Sequence, residues 1–201
     1  ALSSAASDVY KRQEYGIKFT MAGYERVIRD LEKAGGKFDE NKLAESIKIY
    51  NRHNQVMREL DEILAVHPEV TAAQRSDIYK SAFFMKKEEH TALVEQLIED
   101  LKGSESGEEK LPVMVSGILT DAPGLNKIFD DLGMHIVADD VAAQTRQYRT
   151  DAPEGNDPLR DLAQKFADMN DCSVLYDQEK HRPNLIVETA KARGAKGLIV
   201  V

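Results

Sequence analysis

Lys110–Asp151, KLPVMVSGILTDAPGLNKIFDDLGMHIVADDVAAQTRQYRTD, decides the fold. Pro112–Ser116 is an apolar run ending at Gly117, which predicts a strand closed by a turn. Asp121 stands where it would cap a helix with Pro123 in its first turn, and Gly133 ends that helix. Met134–Ala138 predicts a second strand, finishing in Asp139-Asp140. Val141–Asn156 is rich in Arg, Gln, Thr and Asp and reads as a long loop.

Downstream, Asp157-Pro158 opens a helix carrying Leu159, Leu162, Ala163 and Phe166. Pro183–Arg193 predicts another, closed by Gly194. Leu198–Val201 reads as a buried parallel strand. Strands alternating with helices predict an α/β fold, a doubly wound parallel sheet of flavodoxin-like or Rossmann-like form with right-handed crossovers.

Upstream the period is helical. Tyr24, Val27, Ile28 and Leu31 recur at helix spacing before Gly35-Gly36. Asp39 is placed to cap a helix whose apolar face runs Leu43, Ile47, Tyr50, Met57, Leu60 and Leu64, stopping before Pro68. Thr71–Gln74 has capping-box form and opens a third helix with Ile78, Ala82 and Met85. Leu93, Val94, Leu97, Ile98 and Leu101 mark a fourth, either separate or continuous with the third. Gly103–Lys110, GSESGEEK, reads as a linker. The expected organisation is a tail over 1–13, a helical region over 14–102, the linker over 103–110 and a partial α/β domain over 111–201.

Both ends read as cut. Ser3–Gln13, SSAASDVYKRQ, is codon by codon the in-frame translation of a transposase sequencing adapter, so it is set aside from fold reasoning. The chain closes on an apolar run where a central strand is expected to continue.

The formal net charge is −8, or near −9 without the adapter residues Asp8, Lys11 and Arg12. An acidic chain disfavours nucleic acid as a partner, because that affinity comes largely from phosphate neutralisation. No apolar run approaches the roughly 20 residues of a membrane helix. A single cysteine, Cys172, excludes an internal disulfide and fits a reducing cytoplasm.

Ligands of open parallel sheets sit beyond the carboxyl ends of strands. That places Ser116, Gly117, Asp121, Asp139 and Asp140 around one rim as candidate substrate-binding residues. Gly117 either lets a ligand approach the backbone or only makes the turn, and the aspartates either face a ligand or are solvated. Arg146 and Arg149 either grip a phosphate or carboxylate or form surface ion pairs. Tyr50-Asn51-Arg52 either faces a partner subunit or belongs to ordinary packing. His135 is expected to be structural, and His53, His67, His90 and His181 lack metal-ligand spacing. SGILTDAPG is not GxGxxG, which argues against a dinucleotide site. No catalytic residue is assigned.

Taken in order, several segments resemble the 2-hydroxyacyl-CoA dehydratase and benzoyl-CoA reductase D-component family. They are KLAESIKIYNRHNQVMRELDEIL, LPVMVSGILTD, LGMHIVADD, DPLRDLAQKFADMNDCSVLYDQEKHR and ARGAKGLIVV, which together span Phe38 to Val201. His53-Asn54 replaces an arginine usual in the first. The resemblance implies a subunit of a lyase that eliminates water from a 2-hydroxyacyl-CoA through a ketyl radical. It implies a [4Fe-4S] cluster, a second related subunit and an ATP-dependent activator protein. Reduction of the benzoyl-CoA type, or a non-catalytic flavodoxin-like interaction domain, are the alternatives. The family's cluster cysteines fall outside this sequence, and Cys172 is not in a ligand motif, so the chain alone is expected to bind no cluster and to be inactive.

Overall fold

The structure is a computed structural model, and it describes residues 13–171 and 181–201. Helices α1 (Glu14–Lys33), α2 (Glu40–Leu64), α3 (Ala72–Ser81) and α4 (Lys87–Lys102) come first. Then follow β1 (Leu111–Gly117), α5 (Pro123–Asp131), β2 (Met134–Val141) and a 3-10 helix over Thr145–Tyr148. Last come α6 (Pro158–Asp168), α7 (Arg182–Ala192) and β3 (Gly197–Val200). No helix among the described residues is long and apolar enough to cross a membrane.

The chain forms two compact units that do not follow sequence order. One holds the described residues within 1–51 and 150–180, and the other Arg52–Arg149 with His181–Val201. Gly103–Lys110 lies inside the second unit rather than at its edge. It is tied to the turn after α2, where Ser106 Oγ donates to the Val66 carbonyl at 2.9 Å and Gly107 N to Glu69 Oε2 at 2.9 Å.

In the first unit Ile17 of α1 packs against Ala163 and Ala167 of α6, with Met21 and Tyr24 beside them. Val27 and Leu31, expected on the buried face of α1, are exposed, as are Tyr15 and Phe19. All four lie in one i+4 row, which forms an uncovered apolar stripe. Asn51 uses both amide atoms on Ala152, donating to its carbonyl at 2.8 Å and accepting from its N–H at 2.9 Å. Asn51 therefore serves packing.

The second unit has a helical core of Val56, Met57, Leu60 and Leu64 from α2, Tyr79 from α3, and Val94, Ile98 and Leu101 from α4. α3 and α4 are separate helices. Thr71 and Gln74 form the reciprocal capping box expected from their spacing. Within this core His90 Nε2 donates to the Ile78 carbonyl at 3.1 Å. That leaves His90 Nδ1 as the acceptor for His53 Nε2 at 2.9 Å. His53 Nδ1 is then buried with no partner.

The sheet is parallel and three-stranded in the order β2-β1-β3. Side chains alternate across it. Val113 and Val115 of β1 pack with Phe129 of α5 on one face, and Met114 with Ala138 of β2 and Ile186 of α7 on the other. Crossover helices on opposite faces make the sheet doubly wound, with its switch point between β1 and β3. β3 lies at the sheet edge among the described residues. Leu198 and Val200 are exposed there, against the expectation of a buried strand.

Two local expectations need correction. Asp121 does not cap α5: the cap position is Ala122, with no side-chain hydrogen bond, and Asp121 instead lies 3.7 Å from Lys80. β2 does not end at Ala138 but continues through Asp139 and Asp140 to Val141, because both aspartates stay paired with β1.

Gly117 answers to a close approach of chain to chain. A Cβ there would stand 2.5 Å from the Val201 carbonyl oxygen, in the segment that pairs beside Ser116. Gly117→Ala should therefore strain the β1–β3 edge and cost about 1–3 kcal/mol, the usual range for overpacking. A fall in the urea midpoint at unchanged slope would show it.

Burial, with the Lys87 and His90 charges, lowers the His53 pKa from 6.5 to about 4. The folded state thus resists a proton that the unfolded chain accepts. Stability from this site is complete above about 6.5, the ordinary histidine value, and is lost as the pH falls toward 4. His53→Phe should flatten the loss of urea midpoint across that window.

Candidate functional site

Two residues of β2 organise the carboxyl end of the sheet. The strand register shifts between Val113 and Met114, so Val113 faces Ile136 and Met114 faces Ala138, with Val137 as the extra residue. A one-residue shift moves the following side chains to the other face. Asp139 and Asp140, as neighbours on one strand, point to opposite faces of the sheet; the shift decides which of them takes which face, and neither is solvated.

Asp140 is fully buried and holds three guanidinium groups. Arg146 donates from Nε at 3.2 Å and Nη2 at 3.0 Å, Arg149 from Nη1 at 2.8 Å and Arg182 from Nε at 2.8 Å. Arg146 also reaches the Gly117 carbonyl at 3.3 Å. Arg182 also donates to Ser116 Oγ at 2.9 Å. Burial alone would raise the Asp140 pKa, but the Arg146 hydrogen bonds and the Arg149 and Arg146 charges hold it below the usual carboxylate value. Ser116, Gly117, Asp140 and Arg146 thus form one network at the ends of β1 and β2.

Asp139 serves the other face. It accepts from Arg75 Nη2 of α3 at 2.6 Å, from Thr145 Oγ1 at 2.7 Å and from Val141 N at 3.0 Å. The same Arg75 Nη2 donates to Asp61 of α2 at 2.7 Å. α3 is held a second time by Asp130 of α5, which accepts from Ala72 N at 2.7 Å at the helix N-terminus. His135 donates from Nε2 to the Leu64 carbonyl at 2.8 Å, the structural role its position predicts.

Sequence reading identified the aspartates, Arg146 and Arg149, but not Arg75, Arg182 or Asp61. A helix carries many charges, and nothing local to α3 or α7 marks which one meets a strand far along the chain.

Of two cavities among the described residues, one is lined by residues of this network and the other is not. One, about 180 Å³, lies beside Asp139, Arg149, Tyr148 and Asp61. Burial raises the Asp61 pKa despite Arg75 and Arg193. The other, about 330 Å³, lies beyond the carboxyl ends of β1 and β2, between the end of α3 and the loops at Leu119–Asp121 and Ala143–Gln144. No group of three His, Cys, Asp or Glu residues among the described residues could hold a metal ion. Cys172 lies outside the described residues, and as the chain's one cysteine it cannot supply the four thiolates usual for an iron–sulfur cluster.

Comparison with known proteins bears on this geometry. Residues 7–201 match the family described as 2-hydroxyglutaryl-CoA dehydratase, D-component, a match that overlaps the end of Ser3–Gln13. The chain is 40% identical to the (R)-phenyllactyl-CoA dehydratase beta subunit of Clostridium sporogenes, over 94% of this chain and 51% of the relative. It is 34% identical to the beta subunit of (R)-2-hydroxyglutaryl-CoA dehydratase of Acidaminococcus fermentans, over 92% of this chain and 51% of the relative. It is 23% identical to one of the benzoyl-CoA reductase subunits of Thauera aromatica, over 94% of this chain and 50% of the relative. The chain spans about half the length of these curated relatives.

Asp140→Asn would leave three arginines around a neutral amide, of which Arg146 is itself buried. Breaking a buried ion pair this way costs about 3–5 kcal/mol, so the variant should unfold at far lower urea than the parent chain. The lowered Asp140 pKa also sets a sign. Its contribution is present at neutral pH and is lost on acidification through the carboxylate range. The gap between parent and Asp140→Asn in urea midpoint should narrow as the pH falls below about 4, the ordinary aspartate value.

Proposed function

Because the chain belongs to the 2-hydroxyglutaryl-CoA dehydratase D-component family, we propose that the complete protein is a subunit of a 2-hydroxyacyl-CoA dehydratase. One observation carries this reading over acyl-CoA reduction. The dehydratase beta subunits are 34–40% identical to the chain, and the benzoyl-CoA reductase relative is 23% identical.

The chemistry explains why such an enzyme needs help from outside this chain. The hydrogen to be removed sits at an unactivated β-carbon, and the hydroxyl sits at an electron-poor α-carbon. One electron added to the thioester carbonyl gives a ketyl radical anion that expels hydroxide. Loss of the β-proton and return of the electron then give the 2-enoyl thioester and water. A low-potential [4Fe-4S] cluster and an ATP-dependent activator protein are the proposed electron source. With one cysteine in 201 residues, the cluster ligands would lie outside this sequence.

Ser116, Gly117, Asp139, Asp140 and Arg146 are read as the frame of the substrate pocket. Their polar groups are engaged with one another and with Arg75, Arg149 and Arg182, which supports a role in fixing the strand ends. The proposed partner is a second, related dehydratase subunit. The exposed apolar stripe of α1 and the subunit names of the relatives support it. A cytoplasmic setting accords with the lone cysteine.

The test is the full-length protein with its partner and activator, kept anaerobic with ATP and a panel of 2-hydroxyacyl-CoA thioesters. The expected result is 2-enoyl-CoA formation that stops when partner, activator or ATP is withheld. Reduction of aryl-CoA with no dehydration of any 2-hydroxyacyl-CoA would overturn it.

A further inference from the structure

We draw no further inference here: the strongest candidate, the cavity of about 180 Å³ between α2, the 3-10 helix and α7, is lined by Asp61, Glu62, Asp139 and Arg149, which are already paired with Arg75, Arg193 and Asp140, so that only the raised pKa of Asp61 speaks for a ligand or proton site there.

Discussion

The carboxylate of Asp140, buried among Arg146, Arg149 and Arg182, is the interaction on which the ligand end of the sheet depends. A carboxylate taken from water is costly unless its lone pairs are met by donors of opposite charge. Here they come from three places: the 3-10 helix after β2, the residue that follows it, and the start of α7. One buried charge thereby fixes the path of the chain after β2 and the approach of the helix that leads to β3. Ser116 and the Gly117 carbonyl join the same network from β1.

The register shift in β2 decides which of two adjacent aspartates does which work. Without Val137 as the extra residue, Asp139 would stand opposite Ser116 and Asp140 would turn toward α3. With it, Asp140 meets Ser116 and Arg182, and Asp139 meets Arg75. Each carboxylate so finds its own arginines. Arg75 then carries the constraint outward, bridging Asp139 to Asp61, so its guanidinium joins the helical layer to the sheet.

This rigidity bears on function. On the proposed reading the strand ends frame a thioester pocket, and such a pocket gains from walls held by preorganised polar groups that need no rearrangement when the ligand arrives. The strand ends are held by ion pairs, while the larger cavity beside them keeps exposed aromatic side chains. The held region and the uncovered region are separate sets of residues.

Sequence alone determined the elements and their order, because the signals are local. Thr71 and Gln74 close a capping box within four residues, and Asp157 caps α6 by accepting from Arg160 N at 3.0 Å. Gly133 and Gly194 end their helices at φ of 61° and 67°, a conformation that glycine adopts without strain. Parallel, doubly wound pairing followed from strand–helix alternation. The tertiary structure alone decided what the paired aspartates are. Arg75 lies 64 residues before Asp139, and Arg182 lies 42 residues after Asp140. A motif at a strand end reads the same whether solvent or a distant arginine meets it. The bulge that selects which face each aspartate takes, and the Val201 carbonyl that leaves room only for glycine at 117, arise from pairing between strands and have no local mark.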